Sequence, residues 1–461
     1  MGKKTLLCML VAALFADSVL AASQKDADRL GKDLTPIGAE RAGNKEGTIP
    51  EWSGKADKPK AGWSWGKERA EFSAIADEKP LFSINAANVD KYAAHLTPGQ
   101  IALLKQVPNY RMDVYQTHRN CVVPNHVAEQ TKLNAVEAKM NADGASLDHA
   151  KADGVPFPIP DNGAEAMWNH KLRPTGIGFV FKKGGSVLSP RRGTNDFVFY
   201  DWELTQYYPS GEKTAKNVED AHNVEFYGYY KYSAPVALVG QAIVYTSYLD
   251  KIPESSYYFP GQRRVRRLPA YTFDAPLIGF ENEYMVDIQN GFWSTLDRFN
   301  YKLVGKKEIY IPHDAFKMYN FNTSHKDAYL KDEVNPDLGR YELHRVWVVE
   351  ATVKPGMRHS APHRIYYLDE DSWNMLIAED YDSSGKLWNV RQQWQIPVWE
   401  LGGTCTFNPF VQYNLQSGRY MADYSVLGQK VDVEWFMENN NSPTFRADFY
   451  TPEMLRSISE R

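Results

Sequence analysis

From about residue 175 onward the sequence alternates with a period of two, and the alternation is carried by aromatic and β-branched side chains. Between residues 341 and 354, Tyr341, Leu343, Trp347, Val349, Ala351 and Val353 fall on one side, and Glu342, His344, Glu350, Thr352 and Lys354 on the other. Residues 374–381, the turn Asp382-Ser383-Ser384-Gly385 and residues 386–396 read as a hairpin. In its second arm Trp388, Val390, Trp394 and Ile396 oppose Asn389, Arg391, Gln393 and Gln395. Residues 226–231, 235–249, 256–259 and 363–368 are further strand candidates. Consecutive antiparallel strands with one wet face predict a large curved sheet or an open barrel. The chain supplies 28 Tyr, 21 Phe and 12 Trp in 461 residues, enough large apolar surface to line such a sheet.

The stretch before residue 175 is different. Residues 85–106 carry a helical pattern, with Thr97 as N-cap and Pro98 in the first turn. Residues 125–140 and 164–172 are two more helix candidates. Residues 22–80 are rich in Gly, Pro and Lys, and only Trp52, Trp63 and Trp65 stand out. That segment cannot build a core alone and is expected to pack elsewhere as an extended arm. At the start, Lys3 and Lys4 precede an apolar run over 6–16 and the small-residue site Val19-Leu20-Ala21, the order of a cleavable export signal. The run is too short to span a bilayer, and Cys8 lies too early for lipid attachment. The expected organisation is a signal over 1–21, an arm and helical region over 22–175 and a sheet over 176–461, integrated into an α+β protein. The export signal places it in the periplasm. Cys121 and Cys405 then remain, and an oxidising compartment favours a disulfide between them over two buried thiols.

Catalytic signatures fail one by one. No C-x-x-C, H-E-x-x-H or G-x-S-x-G occurs, so no enzyme, cofactor or metal is predicted. His359 and His363 have helical ligand spacing, but Pro355, Gly356 and Pro362 break any helix there. Asp369-Glu370-Asp371 reads as an acidic hairpin turn without the alternation of a calcium loop. The run Arg263-Arg264-Val265-Arg266-Arg267 puts cations on both faces of a strand. It reads as a protected sheet edge, or as a contact for an anionic head group or an acidic partner. The net charge of −4 argues against nucleic acid as that partner.

Two stretches carry family resemblance. The run from Leu34-Thr35-Pro36-Ile37-Gly38 through Thr48-Ile49-Pro50-Glu51-Trp52-Ser53-Gly54 resembles the opening of an exported Gram-negative family known as domain-of-unknown-function family 1329. The order of Tyr258-Phe259-Pro260-Gly261-Gln262 with the arginine run, Tyr301-Lys302-Leu303-Val304-Gly305, Trp347-Val348-Val349-Glu350-Ala351-Thr352 and Arg364-Ile365-Tyr366-Tyr367-Leu368-Asp369 resembles the outer-membrane lipoprotein-sorting (LolA/LolB-like) proteins. That resemblance implies an incomplete antiparallel barrel, closed by helices over a hydrophobic cavity that carries acyl chains. This chain is far longer, with a long extra stretch before the sheet that could cap or fill the cavity.

The leading expectation is a periplasmic carrier of a lipid or other large hydrophobic molecule. Trp347, Trp388 and Trp394 are the candidate cavity lining, and Arg263, Arg264, Arg266 and Arg267 the contact for an anionic head or partner. An inner-membrane exporter or an outer-membrane protein is the expected protein partner. The alternative is an accessory protein that docks to an export complex and holds no small ligand.

Overall fold

The computed structural model describes residues 24–269 and 271–460; the expected export signal over 1–21 lies outside them. The long strands are β1 (Gly178–Leu188), β2 (Val198–Tyr207), β3 (Val224–Ala234), β4 (Ala242–Tyr248), β5 (Glu254–Phe259), β6 (Arg264–Arg267), β7 (Phe299–Pro312), β8 (Tyr341–Val353), β9 (His363–Asp369), β10 (Met375–Tyr381), β11 (Leu387–Val398), β12 (Thr404–Asn414) and β13 (Arg419–Ser425). They form one sheet in the order β7-β8-β9-β10-β11-β12-β13-β1-β2-β3-β4-β5-β6. Neighbours are antiparallel, so the sheet is two meanders joined where β13 meets β1. Among the described residues β6 and β7 do not pair, and the sheet is an open barrel rather than a closed one.

Local chemistry explains most of these elements. The hairpin between β10 and β11 turns where the Asp382 carboxylate accepts hydrogen bonds from the backbone N–H groups of Ser384 and Lys386. Residues 235–241 form a turn, not strand: Pro235 lacks a ladder donor, and Gly240 has a φ of 77°. The expected strand over 235–249 therefore shortens to β4. Helix α1 (Pro98–Gln106) begins in a capping box, with Thr97 and Gln100 bonding each other's backbone N–H. Helices α2 (Asn125–Glu137), α3 (Gly163–Lys171) and α4 (Pro452–Ser459) complete the longer helices. No helix among the described residues is long and apolar enough to cross a membrane.

The arm has no core of its own and is held through its aromatic and charged residues. The Trp52 indole N–H bonds the Cys121 carbonyl, and that of Trp65 bonds the Val433 carbonyl. Arg69 is fully buried, paired with Asp432 and Glu400 and enclosed by the rings of Trp63, Trp399 and Trp435. Cys121 and Cys405 are joined by a disulfide, which ties the segment after the arm to the start of β12.

The expectation of one wet face holds only at the far end of β8, where Thr352 is exposed, and is corrected by the structure elsewhere. Glu342, His344, Asn389, Arg391, Gln393 and Gln395 are all buried. The reason is that both faces of β8–β11 are covered. Helix α3 and residues 268–298 lie on one face; α1, Tyr110 and residues 315–338 lie on the other. Glu342, His344, Arg391 and Gln395 are therefore paired inside the protein rather than solvated, whereas the side-chain oxygens of Asn389 and Gln393 are buried without a hydrogen-bond partner among the described residues.

Candidate functional site: an aromatic inner face filled by a strap

The candidate site is the sheet face that residues 268–298 cover, here called the inner face. It is lined by Trp202, Phe226, Tyr230, Tyr232, Tyr245 and Tyr257 from β2–β5 and by Phe410 from β12. Two glycines make room for the rings. A Cβ at Gly184 would sit 2.1 Å from the Trp202 ring, and one at Gly228 would sit 2.0 Å from that of Tyr245. Only glycine lets an aromatic lie flat across the neighbouring strand at these points.

Among its described residues the strap contains short 3-10 turns and no long strand or helix. Its apolar side chains nevertheless fill the inner face: Phe280, Tyr284, Val286 and Ile288 are fully buried, and Trp293 nearly so. Phe280 stacks on Tyr200 with ring centroids 4.2 Å apart, Tyr284 meets Phe410 at 5.7 Å, and Trp293 lies 4.9 Å from Tyr245. The barrel is thus filled by its own chain, from a segment within the sheet region rather than from the stretch before it.

Polar anchors fix the strap. Asp287 accepts from both terminal nitrogens of Arg364, at 2.7 and 3.2 Å, and lies 3.0 Å from His359 Nε2. Arg364 also faces Asp380, which pairs with Arg391. All four charged side chains are fully buried, two of each sign. Burial pushes the Asp287 carboxyl up, but Arg364 and His359 outweigh it and hold the group well below the usual carboxylate range. Three residues earlier in the strap, the Tyr284 hydroxyl donates to Asp423 at 2.6 Å. Near α3, Lys171 bonds Glu225 and the Ser294 carbonyl, and the His170 ring lies within hydrogen-bond reach of the Asn290 carbonyl.

Asp423 has no cation among its bonded partners. Burial pushes its carboxyl up to about 6, although Ser186, Tyr284 and the Tyr424 N–H all bond to it. The folded state therefore binds this proton more readily than the unfolded chain. The resulting stabilisation is fully present below the ordinary carboxylate pKa and is lost as pH rises through about 6. Asp423→Asn removes this loss. Between pH 4 and pH 8 the wild type should fall relative to the variant by about 2–3 kcal/mol, as read by urea denaturation. Parallel pH curves would contradict it.

The sequence-predicted residues are not brought together. Trp347 is half-buried beneath α3, its ring 6.2 Å from that of Trp373 and under the Lys306 ammonium. Trp388 is half-buried near the end of the β10–β11 hairpin. Trp394 packs against Tyr341 on the opposite face of β11, where Arg391 and Gln393 take the inner side. Alternation identifies the apolar side of a strand, but not the interior when both sides are covered. Arg263, Arg264, Arg266 and Arg267 are all exposed, on or beside the edge strand β6, which among the described residues pairs with β5 alone. His359 and His363 are separated, one bonded to Asp287 and the other to Glu350. The acidic turn Asp369-Glu370-Asp371 is buried and ion-paired: Arg119 holds Asp371, while Arg345 and Lys306 hold Glu370.

A second buried cluster joins His313, Glu342 and His344. His313 Nδ1 and His344 Nε2 lie 3.7 and 3.5 Å from Glu342 Oε2, within reach of a shared ion. The two imidazoles stack face to face, 4.3 Å apart at 19°. An ion bonds imidazole nitrogen in the ring plane, and one ion cannot lie in two stacked planes. The arrangement suits a proton better: Asp314 and Glu342 overcome burial and push His313 up to about 9.

The fold and its site define an open antiparallel sheet whose aromatic inner face is occupied by an irregular strap. The chain belongs to the DUF1329 family, described as a protein of unknown function, whose model matches residues 83–456. It is 37% identical to an uncharacterized protein of Pseudomonas aeruginosa over 98% of both chains. Among solved structures it is similar to a putative outer membrane lipoprotein-sorting protein domain from Vibrio parahaemolyticus, at 14% identity and a TM-score of 0.43, covering 64% of this chain and 98% of that one. It is also similar to a DUF1329 family protein from Desulfovibrio piger, at 14% identity and a TM-score of 0.39, covering 60% and 92%.

Proposed function

We propose that the protein is an exported carrier that holds a lipid or another large hydrophobic molecule on its inner face, without catalysis. The observation that carries this reading is the strap: a loop lying on a continuous aromatic face. Regular elements are locked by ladders of backbone hydrogen bonds, whereas the strap meets the sheet mainly through side chains. A hydrophobic ligand offers the same face the same kind of contact, so ligand and strap compete for it. The strap also protects the aromatic face from water when no ligand is bound. The second reading, an accessory protein docked to an export complex, is favoured by the filled inner face and the exposed arginines.

Competition makes the apparent affinity depend on the fraction of molecules with the strap displaced. Tyr284→Phe removes the bond to Asp423 and raises that fraction. A fluorescent apolar probe such as N-phenylnaphthylamine should bind the wild type and be displaced by fatty acids or phospholipid. The variant should bind the probe about tenfold more tightly, the effect of losing one hydrogen bond to a charged group. Absence of probe uptake by both proteins contradicts the carrier and favours the accessory reading.

A further inference from the structure

One corner of the sheet carries a surface that ligand carriage does not explain. The turn over 235–241 and the turn over 260–263 lie at the same end of neighbouring strands, and a Cβ at Gly240 would touch Pro260 at 3.6 Å. Val236, in the first turn, is 92% exposed, and Val239 is 49% exposed. Beside them stand Arg263, Arg264 and Arg266, with Arg267 one residue further on, all exposed. Arg266 bonds Gln262 and lies over the Phe259 ring, and among the described residues no carboxylate pairs with any of the four. The acidic residues of this hairpin stack all lie at its opposite end: Asp250 and Glu254 are bonded to Asn223 and Lys251, and Glu225 is buried beside Lys171 and Ser247.

We propose that this corner docks the protein on an anionic lipid bilayer, with Val236 and Val239 entering the interface and the arginines meeting lipid phosphates. The two features have different chemistry, and a lipid surface satisfies both. Guanidinium forks pair with phosphate oxygens, while an exposed aliphatic tip gains by leaving water at the acyl boundary. An acidic peptide added to the edge strand would find only four residues to pair with and would leave Val236 in water. The same corner adjoins the strap, because the Leu238 side chain packs on Gly279. A bilayer seated here therefore lies next to the segment that covers the inner face.

The test is co-sedimentation of the mature chain with vesicles of phosphatidylcholine alone or of phosphatidylcholine with phosphatidylglycerol. The wild type should bind the anionic vesicles at least tenfold more tightly, and binding should weaken as salt screens the charges. Arg263→Gln, Arg264→Gln and Arg266→Gln combined should abolish the preference for anionic lipid. Val236→Asn should weaken binding to the anionic vesicles severalfold. All four positions are exposed, so melting temperatures should match the wild type and exclude misfolding. A wild type that sediments with neither vesicle overturns the proposal, and so does a triple arginine variant that binds as the wild type does. Ligand uptake plays no part in the readout, so this result stands apart from that of the probe assay.

Discussion

Asp287→Ala should be among the most damaging single substitutions in the protein, costing about 3–5 kcal/mol, as for one partner removed from a buried ion pair. Asp287 and Asp380 balance Arg364 and Arg391 in a fully buried group. Without Asp287 two guanidinium groups share one carboxylate, and a positive charge is left where water cannot reach it. The strap loses its central anchor at the same time. Loss of stability should therefore be accompanied by protease cleavage within residues 268–298. Asp287→Asn keeps the shape and some hydrogen bonding, and should show the same pattern more weakly. The pH dependence has the opposite sign to that of Asp423. Asp287 is held below the usual range, so its contribution is present above the ordinary carboxylate pKa and is lost as pH falls toward its lowered folded value. Urea denaturation at neutral pH with limited proteolysis checks this expectation. An unchanged midpoint with an intact strap would contradict it.

The second large effect is expected at the disulfide. The bond between Cys121 and Cys405 closes a loop with a sequence separation of 284. On the chain-entropy account a loop of this length is worth about 5 kcal/mol when native geometry is unstrained. The bond also fixes local structure, because Val122 N–H bonds the Gly403 carbonyl and Trp52 is held by the Cys121 carbonyl. Nearby, Arg119 pairs with Asp371 and reaches the carbonyls of Glu40 and Arg41. Cys121→Ser with Cys405→Ser should lower the denaturation midpoint by several kcal/mol equivalents and loosen the arm first, visible as rapid amide exchange before residue 80. Reduction of the wild type should reproduce the effect. Equal midpoints with and without the bond would contradict this account.

The fold was legible where one residue type does one job. Thr97 and Pro98 announce a capped helix, and Asp382 with Gly385 announces a tight hairpin, since their roles are local. The alternation of Val349, Ala351 and Val390 reveals strands for the same reason. The strap was not legible. Between Leu268 and Trp293 apolar residues follow neither period, and glycine and asparagine interrupt them. Such a segment reads as a loop by pattern and as core by composition, and neither names the face it fills. The three tryptophans mark a further boundary. Trp394 is buried as its apolar strand side suggests, but its side is the opposite one from the inner face. The pairing of Arg391 with Asp380, and of Arg364 with Asp287, depends on which strands become neighbours. No spacing along the chain encodes it.

On the proposed reading, the inner face accepts a hydrophobic ligand in place of the strap. Native mass spectrometry of the protein, purified without detergent and incubated with a total membrane lipid extract, tests it most directly. A hydrophobic adduct at near-unit stoichiometry is expected, more abundant for Tyr284→Phe than for the wild type. A mass that stays bare for both proteins would contradict it.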